Sequence, residues 1–119
     1  MIELLYKYRD LVESALKHSL GAYSFKDIVE AVEDQRMQFW VNDKCCVVTE
    51  VLNLPQIKTL HVFLAAGELD GIRSLENDAA EWAKSIGCNA FTLSGRSGWV
   101  KALKNDGWEV AHTTMIKRL

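Results

Sequence analysis

Apolar residues at Ile2, Leu5, Tyr8, Leu11, Val12, Ala15 and Leu16 recur at helical spacing, which predicts a first helix from about Ile2 to Leu20, closed by Gly21. Ser24, followed three residues later by Asp27, is a capping-box start. Phe25, Ile28, Val29 and Val32 then mark one face of a second helix reaching about Glu33. From Met37 the period falls to two. Met37, Phe39 and Val41 alternate with Gln38, Trp40 and Asn42, the turn Asn42-Asp43-Lys44 follows, and Cys45 to Leu54 is rich in β-branched residues, so a β-hairpin is expected. Pro55 and Gln56 break the pattern, and Ile57 to Ala66 resumes it as a third strand antiparallel to the second.

Gly67 closes that strand, and Leu69, Ile72, Leu75, Ala79, Trp82, Ala83 and Ile86 form the apolar stripe of a long helix ending at Gly87. Asn89 to Leu93 reads as a short strand and Ser94 to Gly98 as a glycine-rich turn. Trp99 to Asn105 reads as a short helix stopped by Gly107, and Trp108 to Ile116 as a last strand. The order α-α-β-β-β-α-β-α-β predicts an α/β sandwich on a mixed, mostly antiparallel sheet. Its third and fourth strands, joined through a helix, should run parallel with a right-handed crossover, and the switch point between them is the natural place for a ligand.

A chain of 119 residues makes one domain, 1–119, and at 49% hydrophobic residues with seven glycines and one proline it should bury a core without staples. Acids and bases are interspersed, 16 against 14 for a net charge of −2, which argues against a nucleic-acid-binding face. No apolar run approaches the ~20 residues of a membrane span. Glu3, Lys7, Arg9, Asp10, Glu13 and Lys17 make the N-terminal stretch an amphipathic helix rather than a signal peptide, so a cytoplasmic protein is expected. Cys45 and Cys46 are adjacent and Cys88 stands alone, while His18, His61 and His112 are scattered. Neither a disulfide framework nor a metal site is expected, and the cysteines read as small buried apolar residues.

The stretch from Gly95 to Trp108 (GRSGWVKALKNDGW), with the upstream Met37-Gln38-Phe39-Trp40-Val41 and the element order, resembles the GNAT superfamily of acyl-CoA-dependent N-acyltransferases. More narrowly, it looks like small GNAT-like proteins of tailed bacteriophages and prophages. The resemblance covers nearly the whole chain and lacks the superfamily's usual first strand. It implies an acetyl-CoA cofactor whose pyrophosphate meets a Gln/Arg-x-x-Gly-x-Gly/Ala turn opening the long helix. In the matching window, Glu68 to Arg73, only Gly71 fits that pattern. Glu68 and Asp70 add negative charge where a phosphate needs positive potential, and Arg73 is the residue that would compensate from the first helical turn. The pantetheine arm would meet backbone amides beside Leu64, Ala65 and Ala66. The resemblance also implies a tyrosine general acid four residues before the Gly-aromatic pair, where this chain has Leu103.

Candidate catalytic groups are Glu50, the only acid between Cys45 and Ala66, and His61, the only imidazole there. Arg96 either anchors its turn by bonding carbonyls or faces a phosphate or carboxylate at the helix start. The pair Gly107-Trp108 is read as a left-handed cap followed by a core-covering indole. Two functions follow. One is a GNAT-like protein with a degenerate acyl-CoA site, serving as a virion-associated or protein-interaction component in the host cell or the virion, with a phage structural or host protein as partner. The other is an active N-acetyltransferase acting on an amine of a protein or small molecule. Any of Trp40, Trp82, Trp99 and Trp108 left exposed would suit the partner surface of the first.

Overall fold

The computed structural model describes residues 2–119. Helices α1 (Ile2–Lys7) and α2 (Arg9–Leu16) divide the one helix expected over Ile2 to Leu20, and α3 (Phe25–Glu33) completes the layer. The break falls at Tyr8. Its amide is shared between the Leu4 and Leu5 carbonyls, its hydroxyl donates to the Asn42 carbonyl at 3.3 Å, and its ring lies 6.3 Å from that of Phe39. Anchored to a turn of the sheet, Tyr8 leaves the helical path. At the start of α3 the capping box forms as the sequence predicts. The Asp27 amide donates to Ser24 Oγ and the Ser24 amide to Asp27 Oδ2, so two otherwise orphaned donors are satisfied.

Strands β1 (Met37–Val41), β2 (Cys45–Asn53), β3 (Lys58–Gly67) and β4 (Ala90–Leu93) form one sheet in the order β1-β2-β3-β4. The first two pairings are antiparallel; β3 and β4 are parallel and are joined through α4 (Leu69–Ser85), as expected. A last helix, α5 (Gly98–Leu103), follows β4. Because side chains alternate along a strand, the sheet buries two separate layers. Met37, Phe39, Cys46, Val48 and Leu64 pack with Leu5, Val12 and Ile28 beneath α1 to α3. Cys45, Val47 and Leu60 pack on the other face against Leu75, Ala79 and Ala83 of α4. The adjacent thiols of Cys45 and Cys46 thus enter opposite layers, both buried and free. Desolvation pushes the Cys46 thiol up to about 12, which keeps it an inert apolar filler.

Two features shape the end of the sheet where β3 and β4 part. The register between β2 and β3 slips by one: Val48 lies opposite Leu64 and Thr49 opposite Val62, so Phe63 is an extra residue. Phe63 and Leu64 both pack on the α1 to α3 side, while Val62 and Ala65 pack on the α4 side. The second feature corrects the sequence reading, since no strand forms over Trp108 to Ile116. Trp108 is committed to the α4 face, its ring stacked 5.9 Å from that of Phe91 and its Nε1 donating to Glu76 Oε1 at 2.9 Å. The chain therefore leaves from above the sheet rather than beside β4, and Val110, Met115 and Ile116 remain exposed. Alternation yields a strand only where a partner edge is in reach. At the other end of this segment, Arg118 donates to the Leu20 carbonyl.

Candidate functional site

The ladder between β3 and β4 runs from Thr59 opposite Ala90 to Val62 opposite Leu93, and the Ser94 amide adds a last bond to the Val62 carbonyl at 3.2 Å. The ladder between β2 and β3 continues to Cys45 opposite Gly67. From Phe63 to Gly67, β3 is thus paired on one side only, and the two parallel strands part beyond Ser94. Leu64, Ala65 and Ala66, the residues expected to offer amides to a pantetheine arm, lie on this open edge.

Register places Met37, Glu50, His61 and Thr92 in one row across the four strands, on the face covered by α1 to α3. Glu50 and His61, the two candidate catalytic groups, are direct cross-strand neighbours, with Cβ atoms roughly 5 Å apart in such pairs. Glu50 is half-buried and has no hydrogen-bond or ion-pair partner among the described residues, and burial pushes its carboxyl above the ordinary carboxylate range. It borders a cleft of about 480 Å³ also lined by Tyr23, Asp27, Glu30 and Arg36. Burial pulls the His61 imidazole below its ordinary value, so it is neutral at pH 7. Its two nitrogens are both engaged, Nδ1 with Thr92 Oγ1 at 2.8 Å and Nε2 with Ser94 Oγ at 3.0 Å. Nothing in the sequence marks Thr92 and Ser94 as site residues, since threonine in a strand and serine in a turn are ordinary.

At the start of α4, Asp70 is not an isolated charge. Lys44, in the turn between β1 and β2, pairs with it at 2.7 Å. That ammonium, helped by the Asp70 and Gly71 amides, holds the Asp70 carboxyl below its ordinary value. An internal carboxylate thus sits at the positive end of the helix, where an external anion would go. Gly71 is buried against the same turn, and a Cβ there would lie 2.7 Å from Lys44 Cβ. Its carbonyl accepts a hydrogen bond from Asn42 Nδ2 at 3.0 Å. Arg73 pairs with Asp106 at 2.8 Å. Arg96 is exposed and its side chain has no hydrogen-bond partner among the described residues, so the carbonyl-anchoring role does not form.

Leu103 is buried and lines a narrow apolar crevice of about 40 Å³ with Phe91 and Trp108, so the position at which the sequence resemblance implies a tyrosine belongs here to the core. Each of the four tryptophans is half-buried rather than exposed. Trp40 donates to Thr49 Oγ1 at 2.9 Å and packs edge-on against Trp82. Gly107 has the left-handed conformation expected of it, with φ of +86°. Among the described residues there is no group of three or more His, Cys, Asp or Glu able to hold a metal, and no helix is long and apolar enough to cross a membrane.

No family model and no curated protein matches the sequence. Solved structures do match the fold. An aminoglycoside N-acetyltransferase in complex with CoA superposes with a TM-score of 0.71 at 9% identity, over 97% of this chain and 88% of that one. A ribosomal-protein-alanine N-acetyltransferase from Brucella melitensis gives 0.68 at 12% identity, over 99% and 95%. An acetyltransferase from Trypanosoma brucei gives 0.57 at 12% identity, over 82% and 81%. The chain has the fold of the GNAT N-acetyltransferases.

Proposed function

We propose that the protein is an acyl-CoA-dependent N-acyltransferase. The observation that carries this reading is the open edge of β3 from Phe63 to Gly67, beginning beside the row that holds Glu50 and His61. Free backbone groups on that edge suit the amides of a pantetheine arm, and a thioester at the point where the strands part would lie within reach of Ser94 and His61. Glu50 is suited to take a proton from an incoming ammonium. It is half-buried, unpaired among the described residues and raised toward neutrality, and the cleft beside it opens past Tyr23. The free amine then attacks the thioester carbonyl, nitrogen replaces sulfur on the acyl carbon, and the sulfur departs as a thiol.

The start of α4 fits a pyrophosphate poorly while Asp70 fills it. Arg96, exposed on the loop leaving the gap and without a side-chain partner among the described residues, is a cation available to a phosphate. Acetyl-CoA should therefore bind weakly to the native chain, and Asp70→Asn should tighten it by about 1 kcal/mol, roughly fivefold, by freeing Lys44 and the helix amides for the ligand. Calorimetric titration of both proteins checks this, and failure of both to bind would end the acyltransferase reading. That outcome would favour a second reading, a catalytically silent protein-interaction component such as a virion part. The Asp70 carboxylate and the exposed Val110, Met115 and Ile116 support it.

A further inference from the structure

Thr59, Thr92, His61 and Ser94 form one unbranched line of polar atoms across β3 and β4. Thr59 Oγ1 lies 3.1 Å from Thr92 Oγ1, Thr92 Oγ1 lies 2.8 Å from His61 Nδ1, and His61 Nε2 lies 3.0 Å from Ser94 Oγ. The two ends differ. Thr59 is wholly buried and Thr92 is the one polar partner of its hydroxyl among the described residues, whereas Ser94 is exposed. Each hydroxyl carries one proton and a neutral imidazole carries one, so the three bonds use three of four protons, and His61 donates either outward to Ser94 or inward to Thr92. With His61 donating inward from Nδ1, Ser94 donates to Nε2 and the unused proton falls on Thr59 or, where Thr92 accepts from both neighbours, on Thr92, and neither hydroxyl has another hydrogen-bond partner among the described residues. Running outward, every donor is used: Thr59 donates to Thr92, Thr92 to His61 Nδ1 and His61 Nε2 to Ser94 Oγ. The Ser94 proton is left facing the gap between the strands.

We propose that Thr59 and Thr92 fix His61 as its Nε2–H tautomer, and that Ser94, with its proton thereby held outward at the point where β3 and β4 part, returns a proton to the departing sulfur. This rests on the acyltransferase reading above. In the collapse of the tetrahedral intermediate the carbon–sulfur bond breaks and its electron pair goes to sulfur. Ser94 Oγ passes its proton to that sulfur and takes the N–H proton released by the attacking nitrogen on its remaining lone pair, so Ser94 ends unchanged and the products are an amide and a thiol. His61 donates to Ser94 Oγ throughout and is a positioning residue, as are Thr92 and Thr59. Proton return to sulfur thus has a group to carry it even though Leu103 has none to give.

Two measurements test the proposal on the intact chain. In a long-range proton–nitrogen correlation spectrum of the uniformly nitrogen-15-labelled protein, with the His61 signals assigned by their loss in His61→Gln, the protonated nitrogen is expected to be Nε2. Finding it at Nδ1 overturns the tautomer assignment. Thiol release from acetyl-CoA in the presence of a simple primary amine is then expected to fall about 10²- to 10³-fold in kcat for Ser94→Ala, with KM for acetyl-CoA little changed and activity largely restored in Ser94→Thr. An unchanged kcat in Ser94→Ala, or a loss in Ser94→Thr as large as in Ser94→Ala, overturns the proton-transfer role. Failure of both the native chain and Asp70→Asn to bind acetyl-CoA by titration removes the acyltransferase reading and Ser94's role with it. The tautomer result then stands or falls alone, so the two failures are told apart.

Discussion

Glu50→Gln is expected to lower amine acetylation by roughly 10²- to 10⁴-fold at neutral pH, the range over which a positioned base contributes, while raising the melting temperature. The opposite signs share one cause. Glu50 is half-buried with no partner among the described residues, and desolvation raises its folded-state carboxyl above its ordinary 4.5. Well below pH 4.5 the carboxyl is protonated in both folded and unfolded chains, and glutamine and glutamic acid are equivalent in charge. As pH rises from 4.5 to the raised folded value, the unfolded chain ionises the carboxyl more readily than the folded chain, and stability is lost across that interval. The stabilisation by glutamine should therefore grow as pH rises above 4.5 and vanish well below it in thermal melts from acid to neutral pH. A melting temperature that drops at pH 7, or a gain that persists in acid, would show that the carboxylate is paired in solution. Separately, amine acetylation that survives the substitution at full rate would remove Glu50 from the chemistry. Supplying the amine above its own pKa should rescue much of the lost rate, because the acceptor then arrives without the proton that Glu50 removes.

Gly67→Ala should cost about 3 kcal/mol or more, enough to lower the melting temperature on the order of 10 °C. Gly67 ends β3 with φ of +116°, a conformation that side chains rarely adopt. A Cβ built there would lie 2.6 Å from Cys45 Cα, against backbone that cannot move aside without displacing the turn between β1 and β2. The same turn supplies Lys44, whose carbonyl accepts the Glu68 amide and whose ammonium holds Asp70. Substituting Gly67 therefore strains the joint between β3 and α4 and the charge balance at the helix start together. Urea melts of the variant beside Gly98→Ala, where a Cβ meets nothing within 4 Å, separate this strain from the general effect of losing a glycine.

Elements that local chemistry decides were readable from the chain. The alternation at Met37, Phe39 and Val41, the turn at Asn42-Asp43-Lys44, the stripe of α4 and the Ser24–Asp27 box each rest on neighbours in sequence. The break at Tyr8 depends on Asn42 and Phe39, far along the chain, and no local pattern encodes it. The strand expected at Trp108 to Ile116 fails for a related reason. Its alternation is genuine, but Trp108 is held over Phe91 and beside Glu76, so the segment is delivered to the wrong place for pairing. At the candidate site, Glu50 and His61 stood out as the only acid and the only imidazole between Cys45 and Ala66. The hydroxyls that orient His61 did not, because threonine and serine carry no sign of their partners until β3 and β4 are aligned. Lys44 neutralises Asp70 from a turn well upstream, so counting charges within one window overstated the repulsion there.

Phe63 is a hinge pin in the pleat. Without it, the remaining side chains of β3 would alternate without interruption: Val62 toward α4, Leu64 toward the helical layer, Ala65 toward α4 and Ala66 back again, each on the face it already occupies. Most single-residue deletions in a strand turn everything beyond them inside out. This one would not, and what it removes is the Phe63 ring, with its packing against the helical layer and its 4.6 Å edge contact with the Tyr23 ring. Deleting Phe63 would straighten the strand at the place where its parallel neighbour departs. The protein thus contains a one-residue experiment that separates the shape of the sheet from the identity of its side chains. If the gap between β3 and β4 is what receives the acyl donor, the shortened chain should stay folded and lose acetyl-CoA.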